Sequence, residues 1–264
     1  MSPAIALFAA SAVRQALREG ASGEVRIVLG SAAYLTVGST WVLMGEAAQA
    51  AGPLSLQLRG PAQLELVPGA PVHVHARQLH LGEETVSLER MRERRADRRP
   101  AAGSVSAGAS ALAAANAASQ ADLPPAPAYL RAGLEALVAG SHYAAVYALA
   151  GRGEGLTPAG DDVLAGYAGW RTLCAARHVG ADGTAESHPV LSELAASRSS
   201  PLGLAYLRCA ERGELVDAGT DLVLVLAGGS LGAARGAIAR LRTWGASSGI
   251  ALAWGICAGV ASLS

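Results

Sequence analysis

Asp161 and Asp162 are the residues of this 264-residue chain with the plainest capacity for chemistry. They end a glycine-dense stretch, Gly151-Arg152-Gly153-Glu154-Gly155-Leu156-Thr157-Pro158-Ala159-Gly160. Two neighbouring carboxylates repel a bare anion unless a proton, a cation or an N–H-rich group stands between. The pair therefore suits an amide or carbamoyl –NH₂, or a Mg²⁺ ion that keeps most of its waters. Helix neighbours point about 100° apart, so both cannot face one pocket squarely. One is expected to act on a ligand and the other to complement the dipole of the helix start, and both are candidate catalytic residues. Gly151, Gly153 and Gly155 let backbone approach something small, and Gly153, Gly155 and Gly160 are candidate substrate-binding residues. Thr157 is an N-cap residue type, and Pro158 suits the first helical position because its missing N–H would be unpaired there anyway.

Two later helix starts repeat this logic, Ser199-Ser200-Pro201 and Ser247-Ser248-Gly249. Each start offers unpaired N–H groups and a partial positive charge of roughly half an elementary unit. Should the three ends converge, Thr157, Ser199, Ser200, Ser247 and Ser248 would ring a pocket for a small carboxylate or phosphate. The alternative is three ordinary caps, each worth about 1 kcal/mol to its helix. His73 and His75 share a sheet face at a spacing compatible with a metal pair, but no Cys or carboxylate neighbour completes a set. A solvated strand face is expected for them and for His80, and no residue is assigned to a metal. His142, His178 and His188 stand alone and receive no role. No Gly-x-Ser-x-Gly elbow or Cys/His dyad can be placed.

These groups need elements to position them. Ile5, Phe8, Ala9, Val13 and Leu17 recur at helical spacing and predict a helix over 4–19. From residue 22 to about 90 the period changes to short β-rich runs at 25–29, 34–37, 41–44, 54–58, 64–67, 72–75 and 85–88, separated by turns at Gly30, Gly38, Gly52-Pro53, Gly60-Pro61, Pro68-Gly69 and Gly82. An antiparallel β-barrel or sandwich is expected. The mixed-charge run 89–99 reads as a solvated connection, and the Ala/Ser/Gly stretch 101–121 as either a surface helix or a mobile linker. The rest is helical, with a helix from Pro158 to about Arg177 and with 221–227 read as helix rather than strand because Gly228-Gly229-Ser230 follows. The expected fold is α+β: a β-rich domain over 1–100 with an N-terminal helix, an Ala/Pro-rich connection over 101–128, and a helical domain over 129–264.

Composition narrows the function. Hydrophobic residues make up 51%, charged residues 16% and the net charge is +0, which gives no pull toward nucleic acid or an anionic membrane. There is no lysine, which excludes Schiff-base chemistry and a Walker-type phosphate loop. Cys174, Cys209 and Cys257 sit among apolar neighbours, as reduced thiols of a cytoplasmic protein do. The first residues lack the basic region of a signal peptide, and the apolar stretch 250–263 is too short for a membrane span.

The run Gly153-Glu154-Gly155-Leu156-Thr157-Pro158-Ala159-Gly160-Asp161-Asp162, followed by Leu164-Ala165-Gly166, resembles the signature of a bacterial family long described as a domain of unknown function. That family includes the AllH-type subunit of oxamate carbamoyltransferase from anaerobic allantoin breakdown. The resemblance extends to the β-rich N-terminal half, Ser199-Ser200-Pro201, Ala210-Glu211-Arg212-Gly213 and the ending from Gly245 to Gly255. It implies phosphorolysis of oxalurate to oxamate and carbamoyl phosphate, carried out with two other subunits, with Thr157, Gly160, Asp161 and Asp162 facing the substrate. The chain departs from the family where Gly-His-Ser-Ser-Gly and then an aspartate are expected: Ala246 replaces the histidine and Ala251 the aspartate. The leading expectation is a subunit that binds a small carbamoyl-bearing anion. A non-catalytic binding or assembly subunit and a metal-assisted hydrolase using the aspartates are the alternatives.

Overall fold

A computed structural model of the protein describes residues 4–46, 52–59, 64–94, 109–174, 189–228 and 231–262. The expectations for Gly60-Pro61, residues 95–99 and 101–108, the extension of the central helix to Arg177, His178, His188 and Gly229-Ser230 lie outside them. The chain divides into two compact units, Met1–Asp97 and Arg98–Ser264.

The first unit is a β-barrel. Its strands are β1 (Ala4–Ala10), β2 (Ser22–Leu29), β3 (Ala32–Val37), β4 (Thr40–Glu46), β5 (Ser55–Leu58), β6 (Pro71–His75), β7 (Gln78–Leu81), β8 (Glu84–Ser87) and β9 (Arg92–Arg94), with the short helix α1 (Ser11–Ala16) after β1. The order is β5-β4-β3-β2-β6-β7-β8-β1, and β1 closes the ring by pairing back onto β5. All pairings are antiparallel except β4 with β5 and β1 with β8 and β9. Two-residue turns join β2 to β3, β3 to β4, β6 to β7 and β7 to β8. At the third of these, Ala76 and Arg77 both have positive φ (49° and 58°), the backbone that matches the twist of a two-residue hairpin. Alternation sorts the faces. Val72 and Val74 join Val25, Leu35, Val42, Leu56, Leu79 and Val86 in the barrel core, while His73 and His75 point outward.

Two expectations for this unit are corrected. Only Ser11–Ala16 of the predicted N-terminal helix is helical; residues 4–10 are a strand, because β5, β8 and β9 all hydrogen-bond to it. Residues 64–67 have the alternation of a strand but pair with none. Strands β7 and β9 were not foreseen.

The second unit contains α2 (Ala109–Ala121), α3 (Ala128–Val138), α4 (His142–Leu149), α5 (Ala159–Cys174), α6 (Leu191–Ala195), α7 (Pro201–Glu211), α8 (Asp217–Gly228), α9 (Leu231–Leu241) and α10 (Ser248–Ala261). The alanine-rich stretch is thus helical from Ala109, and 221–227 lies within α8. Every residue of α5 except Arg171 and Thr172 is buried, which makes it the axis of the unit. Its closest neighbour is α10. A methyl group on Gly166 would overlap the Leu252 carbonyl, and one on Gly255 would overlap the Val163 carbonyl. Glycine at both positions lets the two helices meet backbone to backbone.

Candidate functional site

The glycine loop starts where α4 ends. Gly151 turns the chain with φ of 72°, and Gly153 and Gly155 keep it in the left-handed region at 111° and 92°. Residues 152–156 are exposed, whereas 158–162 are buried, so the loop descends from the surface into the centre of the unit. Gly160 packs so closely on Leu149 that a methyl group would overlap that residue's carbonyl. The hydrogen-bond ladder of α5 opens at Pro158, whose carbonyl accepts from Asp161 N (2.8 Å) and Asp162 N (3.2 Å). Thr157 therefore does not cap the helix as expected. Its hydroxyl lies 2.9 Å from the Ser248 hydroxyl at the start of α10.

The two aspartates have different surroundings. Asp161 is 1% exposed, and its oxygens accept from Gly151 N (2.7 Å), the Ser199 hydroxyl (2.7 Å) and Ser200 N (3.0 Å). It joins the end of α4, the start of α5 and the start of α7. A methyl group on Gly203 would overlap the Asp161 side chain, so glycine there makes room for the joint. Asp162 is 2% exposed and receives hydrogen bonds from the Ser248 and Thr157 hydroxyls, while its Oδ2 is buried and unpartnered. Burial pushes its carboxyl well above the ordinary aspartate range. The Ser248 and Thr157 hydrogen bonds pull the other way, and the charge of Asp161 adds to the rise. The protonated form of Asp162 is thereby favoured.

The serines divide similarly. Ser200 caps α7 by accepting from Gly203 N (2.9 Å) and donates to the Leu156 carbonyl (2.9 Å), which ties the α7 start to the glycine loop. Ser247 occupies the cap position of α10 but is exposed, and its side chain makes no capping bond. The structure thus brings the starts of α5, α7 and α10 together through Ser199–Asp161, Ser200–Leu156 and Thr157–Ser248. Sequence reasoning passed over one contributor to this junction, Gly203, and singled out Gly151 for close backbone approach but not as a donor to Asp161. Gly151 had a signal in its place at the head of the loop, and Gly203 had none.

A cation shared between the aspartates does not fit this arrangement. Asp161 spends both oxygens on protein donors, which leaves neither for a shared cation. Among the described residues no group of three or more His, Cys, Asp or Glu is placed to hold a metal ion. His75 bonds Glu19 at the barrel surface (2.7 Å). His142 meets the Tyr167 hydroxyl (3.1 Å) and Arg171 (3.2 Å), a cluster spanning α4 and α5 that nothing in the sequence spacing indicated. The three cysteines are buried, and burial raises the Cys209 thiol to about 11 and that of Cys257 to about 12, so both favour the unreactive thiol form.

Fold and junction together define the class: an α+β protein with a barrel unit and a helical unit whose central helix begins at a buried carboxyl pair. Residues 149–260, from the last residue of α4 to the penultimate residue of α10, match the family model described as oxamate carbamoyltransferase subunit AllH. This is the family that the glycine loop resembles. No curated protein and no solved structure gives a significant match. Among the described residues, no helix is long and apolar enough to cross a membrane.

Proposed function

We propose that the protein is a subunit of an oxamate carbamoyltransferase-type enzyme and binds a small carbamoyl-bearing anion, such as oxalurate, oxamate or carbamoyl phosphate, where α5, α7 and α10 begin. The observation that carries this reading is the meeting of three hydroxyl-bearing helix starts around one carboxyl pair, inside the segment matched by the family model. Helix N-termini favour anions, and a protonated Asp162 removes the repulsion that two carboxylates would exert. Thr157, Ser248 and Asp162 supply groups that donate to or accept from a carbamoyl unit, and Gly153 and Gly155 supply close backbone. Gly160, Asp161, Ser199 and Ser200 hold the walls in register, while Ser247 lies at the exposed rim.

In the reaction this reading implies, a phosphate oxygen attacks the carbamoyl carbon of oxalurate. The bond from that carbon to the oxamate nitrogen breaks, and the nitrogen takes the proton that phosphate gives up. The charges are spread over small ions, so the contribution expected of this chain is positional and electrostatic. Other subunits would complete the site.

A second reading, a binding or assembly subunit without turnover, is favoured by Ala246 and by Ala251, which is fully buried in α10 where the family pattern calls for an aspartate. The test is carbamoyl phosphate formation from oxalurate and phosphate, measured with the protein alone and with candidate partner subunits. Formation that requires this chain supports the transferase subunit. Oxalurate binding without formation in any mixture supports the second reading, and absence of both refutes the shared site.

A further inference from the structure

The aspartates differ in one respect that no cap requires: the oxygens of Asp161 are taken by three protein donors, whereas Oδ2 of Asp162 is buried without one. A buried polar atom without a partner is costly, and most such atoms in folded proteins are satisfied by protein, water or ligand. The same carboxyl group is bonded by the Thr157 and Ser248 hydroxyls, which are both only partly buried and belong to the starts of α5 and α10. The exposed residues 152–156 lead directly to Thr157, one of the two hydroxyl residues bonded to Asp162.

We infer that Asp162 is the specificity-determining residue of this site, its Oδ2 pairing with the primary-amide –NH₂ of an oxamate-type ligand, while Asp161 serves only to join α4, α5 and α7. This rests on the proposed function and assigns the two carboxyls separate work. A carboxyl group presents an acceptor and, when protonated, a donor, and a primary amide presents the complementary donor and acceptor on one edge. The carboxylate or phosphate end of the same ligand then faces the helix starts. A site built to pair with an N–H discriminates strongly against an analogue lacking it, because its own buried group is left unpaired.

Oxamate and pyruvate provide the test, since they share a shape and differ by –NH₂ against –CH₃. Binding of each to the full chain is measured by calorimetry, alone and with candidate partner subunits. The wild type is expected to bind oxamate at least about tenfold more tightly than pyruvate. Asp162→Ala should bring the two within about twofold, and Asp162→Asn, which keeps a donor and an acceptor, should retain most of the preference. Equal wild-type affinities would overturn the inference and leave the anion site standing. So would a preference that persists in a folded Asp162→Ala protein. Binding of neither compound under any condition would overturn the proposed function and this assignment with it. If Asp162→Ala does not fold, the wild-type ratio and Asp162→Asn still decide.

Discussion

Replacing Asp162 with Asn should change how stability depends on pH. In the unfolded chain an aspartate ionises near pH 4. In the folded protein burial holds the Asp162 proton to higher pH, against the opposing pull of the Ser248 and Thr157 hydrogen bonds. Between these two values the folded state binds one proton more than the unfolded state, so folding weakens as pH rises. The contribution of the buried acid is complete below the unfolded value and is lost as pH climbs through the folded one. For one proton the slope is about 1.4 kcal/mol per pH unit. Asn keeps the shape and cannot ionise, so the unfolding free energy of the wild type minus that of the variant should fall by this amount per unit until the folded value is reached. Urea unfolding of both proteins, followed by helical circular dichroism at about pH 5, 6 and 7, measures the difference and cancels the other titrating groups. A difference that stays flat across this window would show that Asp162 is ionised in the fold, and the neutral-acid reasoning would fail.

Asp161→Ala should remove the acceptor of three donors at once and cost roughly 3 kcal/mol or more, read as a lower urea midpoint with unchanged slope. Gly255→Ala forces a methyl against the Val163 carbonyl, which is backbone and cannot rotate away. The α5–α10 contact should weaken by about 1–3 kcal/mol in thermal unfolding. Ser200→Ala should cost about 1 kcal/mol as a lost cap and, by releasing Leu156, should weaken oxamate binding in calorimetry more than that stability loss alone would.

The chemistry was easier to read than the contacts that divide it. Carboxyls, hydroxyls and glycines marked three helix starts because caps and positive-φ turns have strong local preferences. That Asp161 is a joint and Asp162 carries the orphan depends on Ser199, Ser200 and Ser248, which lie 38 to 86 residues away and reach the pair only through packing. Ser247 looked like a cap because serine commonly is one, yet its side chain makes no capping bond. The barrel was visible through alternation in strands such as β6, where one face meets the core. Alternation also drew a strand at 64–67, where no neighbour pairs. Conversely, β9 lies in the charged run 89–99, and its pairing comes from β1, far away in sequence. Residues 4–10 show how a short apolar run keeps both readings open: Ile5, Phe8 and Ala9 fit a helix, and non-local hydrogen bonds made the segment a strand.

Those bonds set an order of events. Strand β1 pairs with residues in 55–58, 84–87 and 92–94, so it leaves the ribosome ahead of all its partners and has none until about half of the unit has been made. Hairpins such as β2–β3 and β6–β7 can form from neighbours as they emerge, but the ring cannot close until β1 returns to the last segments made. During that interval Ala6, Ala9 and Ala10, buried in the finished barrel, belong to an unpaired strand with two open edges. Waiting for β1 is thus the step of biosynthesis at which this unit is most exposed to pairing with another chain.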